Sequence, residues 1–446
     1  MGVRGRKDAK RSARMLSFVY RGQKVHLRVD PSSVGVLVVA ARRSAYLNRS
    51  GTLFAQSFLS GEPPETAVER AVRAFRGLTR ERAERDYRDF IRRLKAFLDA
   101  EEVCPITDLG FARVDPLSIR TSAPFRMDLA LTYRCNNRCV HCYSGSPESQ
   151  KPEMSTKEWK EVLRRLANLG IPNVVFTGGE PTLRNDLTEL VAEAQRLGLV
   201  AGLVTNGRRL ADRSFAEALV RAGLDYVQVT LESHRPEVHE RITQTPGSWG
   251  ETVEGIRNMA DLGIYVDVNA TLSRLNVGDV VGLVDLAREL GADAVSANRL
   301  IYSGRGLEVR EWFEPSPGET LVALEEMADA AAERDMEFRW YGVTRYCELN
   351  PLEHQLGVKF CSACSITMAV EPDGTVIPCQ SYYEPLGNIL RDDWGSIWDH
   401  PLCEGIRSRS FAGPACRSCP FFSACGGGCP LEARVRPYPE SPPEVA

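Results

Sequence analysis

Through the middle of the chain, apolar residues three and four apart mark one helix after another. Each of these helices stops at a glycine: Gly170, Gly198, Gly223, Gly263 and Gly291. Glycine just past a last helical turn accepts the left-handed cap conformation at little cost. A short apolar run of β type follows each glycine directly. The strands predicted are Met127–Thr132, Asn173–Thr177, Val200–Thr205, Tyr226–Leu231, Tyr265–Ala270 and Ala294–Leu300. The first helix opens with Ser155-x-x-Glu158, a capping box, and places Trp159, Val162, Leu163, Leu166 and Leu169 on one stripe. Six strands alternating with five helices make a parallel α/β architecture. An open doubly wound sheet and a partial barrel both fit, and in either the chemistry belongs at the C-terminal ends of the strands.

The flanks read differently. Before the α/β section, strands are expected at Leu16–Tyr20, Val25–Val29 and Val34–Ala40, then helices at Thr52–Leu59, Glu65–Phe75 and Arg80–Leu98. The last of these carries Ala83, Tyr87, Phe90, Ile91, Leu94 and Phe97 at helical spacing. After the α/β section one further helix is expected at Pro315–Ala332, and then glycine, proline, aromatic and cysteine residues dominate to Pro430. The organisation expected is a flexible basic arm at 1–14, a small three-strand, three-helix domain at 15–100 and a Pro-containing linker at 101–124. The α/β section follows at 125–310, a bridging region at 311–345, a cysteine-rich domain at 346–430 and a disordered Pro-rich tail at 431–446. With little periodic apolar content, the cysteine-rich region is expected to depend on metal more than on a large core.

Composition narrows the class. Of the 446 residues, 43% are hydrophobic and 26% charged, and the formal net charge of −3 speaks against a basic nucleic-acid-binding body and against an acidic disordered chain. The longest clean apolar run is about eight residues, short of the roughly 20 that a membrane helix needs. No apolar segment with a cleavage site follows the N-terminal basic residues, so a soluble, cytoplasmic protein is expected, without nucleic-acid or membrane partners. In that reducing setting the 13 cysteines read as metal ligands or catalytic thiols rather than disulfides.

Their spacing is the strongest chemical signal. Cys135-x3-Cys139-x2-Cys142 follows the first predicted strand, within Leu131-Thr-Tyr-Arg-Cys-Asn-Asn-Arg-Cys-Val-His-Cys-Tyr143. Three thiolates on a short loop can ligate three irons of a cubane and leave the fourth open. Zinc is the structural alternative, but it wants four ligands and only His141 is near. The motif resembles that of the radical S-adenosylmethionine enzymes. The resemblance implies a [4Fe–4S] cluster on Cys135, Cys139 and Cys142, whose open iron chelates the amino and carboxylate groups of S-adenosylmethionine. Reductive cleavage of the cofactor then gives a 5′-deoxyadenosyl radical that abstracts hydrogen from substrate, with an electron donor such as flavodoxin or ferredoxin. It places His141 beside the adenine.

Other strand ends extend the resemblance. Thr177-Gly178-Gly179-Glu180-Pro181 could be a simple turn, but beside the cysteine loop it resembles the family's motif for the methionine amino group. Thr205-Asn206 and Thr230-Leu231-Glu232 match further cofactor contacts, the latter departing conservatively from the family's Ser-x-Asp. Asn269 is a further candidate, or a plain strand-end cap. Downstream, Cys361-x2-Cys364, Gly374-x4-Cys379 and Cys416-x2-Cys419-x5-Cys425-x3-Cys429 resemble a SPASM domain. By that resemblance Cys361, Cys364, Cys379 and Cys429 hold one auxiliary [4Fe–4S] cluster, and Cys416, Cys419 and Cys425 supply three ligands to a second. The family's further downstream cysteine is missing. The second cluster is left to recruit Cys403 or Cys347, to use another ligand, or to keep an open iron. A zinc ribbon is the alternative, and Cys104, Cys347 and Cys403 have no assigned role.

The N-terminal order of strands then helices, with Tyr46-Leu47-Asn48 before the first helix and Leu59-Ser60-Gly61 closing it, is similar to the PqqD-like fold. That fold captures the leader of a ribosomally made precursor peptide by adding it as a strand to a sheet edge. A generic winged-helix-like module is the alternative. The expectation is therefore a radical S-adenosylmethionine peptide maturase: an N-terminal winged-helix-like leader-binding domain, a partial (β/α)6 barrel of TIM type and a C-terminal SPASM domain. The product expected is a thioether crosslink in a precursor peptide. A formylglycine-type, haem or quinone maturase and a non-catalytic peptide-binding scaffold are the other classes.

Overall fold

The computed structural model describes residues 14–30, 33–39, 43–99, 121–149, 151–438 and 440. Cys104, the basic arm before Arg14, most of the linker and the last residues of the tail lie outside them. The chain forms two compact units, and each is taken by itself.

In the N-terminal unit an antiparallel meander runs β1 (Arg14–Tyr20), β2 (Gln23–Val29), β3 (Gly35–Val39) and β4 (Arg43–Leu47). Arg21 and Gly22, both at positive φ, make the two-residue turn between β1 and β2. Three helices follow, α1 (Arg49–Leu59), α2 (Pro64–Ala74) and α3 (Arg80–Asp99). The Asn48 side chain caps α1 by accepting from the Gly51 N–H at 2.8 Å. The inward stripe of the helices meets the sheet in one core that includes Leu27, Leu37, Phe54, Ala71, Tyr87, Leu94 and Phe97. The expected count of three strands is corrected to four. The Arg-Ser-Ala-Tyr-Leu run of β4 is short and carries little β-forming character, and its pairing with β3 defines it.

The larger unit is built on a ten-stranded sheet. Its parallel strands and their helices are β5 (Arg126–Ala130), α4 (Thr156–Asn168), β6 (Asn173–Thr177), α5 (Leu187–Arg196), β7 (Val200–Thr205), α6 (Arg213–Arg221) and β8 (Tyr226–Thr230). They continue through α7 (Pro236–Thr243), α8 (Ser248–Asp261), β9 (Tyr265–Thr271), α9 (Val280–Glu289) and β10 (Ala294–Asn298). This is the six-strand partial barrel, and all five expected glycine caps stand at φ between 72° and 96°. The capping box is formed, with the Ser155 N–H donating to Glu158 at 2.8 Å. Trp159, Val162, Leu163 and Leu166 are buried, whereas Leu169 is half-buried.

Three corrections apply here. Two helices, not one, join β8 to β9. A further helix, α10 (Gly304–Phe313), precedes α11 (Pro317–Glu333), and β11 (Glu337–Trp340) adds a seventh parallel strand beside β10. The strand order is β11-β10-β9-β8-β7-β6-β5 and then β12 (Thr367–Val370), β13 (Thr375–Ile377) and β14 (Gly387–Asn388). The cysteine-rich region has more apolar burial than expected, because β12 pairs in parallel with β5 and buries Met368, Ala369 and Val370. The tail is ordered further than expected: Leu431 and Glu432 are buried, Arg436 reaches Glu314 at 2.7 Å, and the Tyr438 hydroxyl donates to the Gly427 carbonyl at 2.9 Å. Among the described residues no helix is long and apolar enough to cross a membrane.

Register sets the interior of the barrel. Alternate residues face the same side of a strand, and Thr230 lies opposite Asn269, which lies opposite Ser296. One level toward the strand ends, Asn298 pairs with Thr271. These polar layers form the floor of the site.

Candidate functional site

A cavity of about 170 Å³ opens at the C-terminal ends of β5 to β10. Eleven of the twelve expected cofactor-site residues line it: Cys135, Cys139, Cys142, His141, Gly178, Gly179, Thr205, Asn206, Thr230, Glu232 and Asn269. The exception is Glu180, which is wholly buried beneath it.

The cysteine loop has no regular structure of its own, so its shape depends on what grips it. The N–H groups of Arg138 and Val140 donate to the carbonyls of Thr243 and Ile242 at the end of α7, at 3.0 and 2.9 Å. Arg208 donates to Asn137 Oδ1 at 3.0 Å and to the Asn136 carbonyl, and the Asn206 side chain bonds Asn136 at 2.6 Å. Arg305, at the start of α10, donates to the carbonyls of Cys139 and Ser146 at 3.0 and 2.5 Å and pairs with Glu148 at 2.6 Å.

Glycine is required where β6 meets this loop. Gly178 sits at φ 140°, and a Cβ there would stand 2.2 Å from the Thr132 carbonyl oxygen; one on Gly179 would stand 2.5 Å from that of Arg134. Without side chains, the Gly179 and Glu180 N–H groups donate to the carbonyls of Thr132 and Arg134 at 2.7 and 2.8 Å. Glu180 then gathers its neighbours. Its Oε1 accepts from the Thr205 hydroxyl at 2.7 Å and the Thr182 hydroxyl at 2.6 Å, and its Oε2 from the Asn206 N–H at 2.8 Å. Burial pushes its pKa up while these donors pull it down.

On the opposite wall His141 stacks on Phe313, ring centroids 5.2 Å apart. Its Nε2 lies 3.2 Å from Glu232 Oε1, without the alignment of a hydrogen bond. Glu232 Oε2 accepts from the Thr271 N–H at 3.0 Å. The Glu232 N–H donates to Nδ1 of buried His239 at 3.2 Å. Asn269 is held by Ser296 and Asn298, at 2.8 Å each.

Burial pushes the Cys135 thiol up to about 12 and raises that of Cys139 well above its ordinary value. Glu180 and Glu232 respectively add to the effect. Such thiols ionise only against strong positive charge, as metal ligation supplies. His141 Nδ1 and Glu232 Oε1 are buried without a hydrogen-bonding partner. Three thiols, two unpartnered polar atoms and a glycine-lined rim fit a cluster with an amino-acid-bearing cofactor. Among the described residues no three His, Cys, Asp or Glu side chains converge as one metal ion requires. A cubane, whose ligand sulfurs sit on separate irons, does not ask for that convergence.

Several lining residues were not singled out from the sequence: Gln228, Thr271, Asn298, Arg299 and Gln380. The first three follow the two-residue period of β8, β9 and β10, a signal hidden by the apolar character of the strands. Farther down the chain, the thiols of Cys361, Cys379 and Cys429 lie within electrostatic reach of one another. Cys364, expected as their fourth partner, is buried beside the Cys403 thiol, with Cys379 also within electrostatic reach. Cys416, Cys419 and Cys425 share a separate small cavity of about 30 Å³.

Comparison with known proteins agrees with this geometry. Residues 129–287 match the radical SAM superfamily, and residues 361–420 match the SPASM iron–sulfur cluster-binding domain. Over 322 residues the chain is 33% identical to the PqqA peptide cyclase of Gluconobacter oxydans, covering 70% of this chain and 87% of that protein. Over 316 residues it is 31% identical to the mycofactocin maturase MftC of Mycobacterium ulcerans, covering 69% and 83%. In fold it resembles Streptococcus suis SuiB, solved with its precursor peptide SuiA, at a TM-score of 0.67 and 18% identity over 96% of this chain and 98% of that one.

Proposed function

Since the chain belongs to the radical SAM superfamily and carries a SPASM domain, we propose that it matures a ribosomally made precursor peptide, joining two of its residues. It is an enzyme of that family, with S-adenosylmethionine and a [4Fe–4S] cluster as cofactors. The observation that carries the reading is the single cavity in which Cys135, Cys139 and Cys142 meet Gly178, Gly179, Asn206, Glu232 and Asn269. The peptide as substrate is supported by the relatives, named as a peptide cyclase and a maturase, and by SuiB, solved with a precursor peptide.

Cys135, Cys139 and Cys142 hold the cluster in this reading, and Glu232, Asn206, Thr205, Thr230, Asn269 and the glycine rim hold the cofactor. When bound, the pair supplies a 5′-deoxyadenosyl radical able to abstract a hydrogen atom from carbon. Glu180 acts as a positioning residue, because its carboxylate shapes the Thr205–Asn206 turn from below. Phe313 keeps the His141 ring flat against the cavity wall, where it can stack on a base. The barrel wall excludes water, which protects a radical from quenching.

The N-terminal unit binds the leader in this proposal, by strand addition at an edge of the β1–β4 sheet. A hollow in the same unit, lined by Phe54, Phe75 and Leu78 together with Asn48, Arg82 and Asp86, offers a seat of mixed polarity for side chains of the leader. The remaining parts of the reading are two auxiliary [4Fe–4S] clusters in the C-terminal region, a donor such as flavodoxin or ferredoxin, and a cytoplasmic setting. The new bond is a cysteine thioether if an auxiliary iron is open to a substrate thiol, and a carbon–carbon bond if none is.

The test is anaerobic incubation of reconstituted enzyme, reductant and S-adenosylmethionine with the peptide encoded beside it. A product lighter by two hydrogens, with fragmentation blocked between the joined residues, is expected. 5′-Deoxyadenosine formed over a peptide of unchanged mass would refute the reading.

A further inference from the structure

Two cysteines remained without a role on the described part of the chain, Cys347 and Cys403, and the structure separates them. Cys403 is fully buried with its thiol against Cys364. Cys347 lies upstream, outside the 361–420 stretch that matches the SPASM domain. Even so, it lines the same small cavity as Cys416, Cys419 and Cys425. The rest of that lining is largely apolar, from Tyr346, Ala415, Phe421 and Phe422, with Arg345 the one charged residue.

The backbone around Cys347 is fastened to this site. The Cys425 thiol donates to the carbonyl of Thr344, three residues before Cys347, at 3.8 Å. Gly426, Gly427 and Gly428 all stand at positive φ, and the N–H groups of Gly426 and Gly428 close the turn on the carbonyls of Phe422 and Cys425 at 2.9 and 3.4 Å. Arg345 donates to the carbonyls of Arg436 and Pro437 at 2.8 and 2.9 Å, with its guanidinium over the Tyr438 ring at 4.4 Å. Arg436, Pro437 and Tyr438 thus pack on Arg345, two residues before Cys347. The Cys347 thiol is within electrostatic reach of Cys425 and Cys416.

We infer that Cys347 is the fourth ligand of the second auxiliary cluster, supplied from upstream of Cys416, Cys419 and Cys425. Four cysteines on one cavity with a largely apolar wall are the surroundings such clusters take. The inference rests on the reading that the C-terminal cysteines hold iron. It has a consequence for the chemistry: four cysteines leave this cluster no open iron, so an auxiliary iron open to a substrate thiol would have to belong to the cluster of Cys361, Cys379 and Cys429.

Iron content, Mössbauer and electron paramagnetic resonance spectra of the full chain, reconstituted anaerobically, test it. Wild type is expected to hold about twelve irons in three four-iron clusters. Cys347→Ala is expected to lose about one iron and gain a three-iron signal, or to lose that whole cluster, as Cys416→Ala does. Cys403→Ala is expected to retain the wild-type iron content. Cys347→Ser, folded by circular dichroism, is expected to shift the spectrum of one cluster only. Wild-type iron and spectra in both Cys347 variants would overturn the inference. About four irons in the wild type, with zinc present, would instead overturn the underlying reading that these cysteines hold iron, and the inference with it.

Discussion

His239 shows how far one side chain is defined by its burial. It is 1% exposed, its Nδ1 accepts the Glu232 N–H, and burial pushes its pKa down to about 4, below the ordinary 6.5. The folded chain therefore resists a proton that the unfolded chain accepts. Stability is full above about pH 6.5 and declines as pH falls toward 4, by an amount of order 3 kcal/mol. His239→Gln keeps an acceptor for the Glu232 N–H and does not titrate. Its urea midpoint is expected to fall less than that of wild type between pH 7 and pH 5; equal falls would place the responsible proton elsewhere. Glu180 makes a related point. Its motif was legible in the sequence, but motif and spacing pointed to the cofactor, whereas in the fold its four bonded donors belong to Thr182, Thr205 and Asn206.

Elements differ in how clearly the sequence announces them. α4 has a capping box and a clean apolar stripe, while α10, Gly304–Phe313, has neither an N-cap side-chain bond nor a regular stripe. Yet the first turn of α10 carries Arg305, which makes two backbone bonds and one ion pair to the cysteine loop and whose own N–H donates to the Cys142 carbonyl at 3.0 Å. Hydrogen bonds from a charged donor contribute roughly 1.5–3 kcal/mol each. Arg305→Ala is expected to loosen the loop, with about four fewer irons per chain and at least a tenfold loss of 5′-deoxyadenosine formation. Arg305→Lys is expected to recover only part, since an ammonium lacks the planar fork. Full iron in Arg305→Ala would show that the loop is held without it. β4 and β11 went unread for a simpler reason: runs of five and four residues have too few side chains to show a period, and only their pairing identifies them.

At the scale of the molecule, recognition and chemistry fall on different parts of the chain in the proposed function. Removing the residues before Ser122 is expected to abolish leader-peptide binding by fluorescence anisotropy while 5′-deoxyadenosine formation without substrate continues. Retained binding would move recognition to the barrel or the cysteine-rich region. By itself the sequence determined the parallel α/β rhythm, the strand ends as the place of the candidate site and the cysteine spacing to which the proposal assigns the cluster. Helical period, glycine caps and ligand spacing are local properties that a linear text preserves. Tertiary structure alone decided that Arg305 and Arg208 grip the loop, that Gln228, Thr271 and Asn298 face the cavity, and that Cys403 meets Cys364 while Cys347 meets Cys416, Cys419 and Cys425. Those contacts join residues as many as 166 apart in the chain. No local pattern encodes such a meeting, because the free energy that brings the partners together comes from packing of the whole fold.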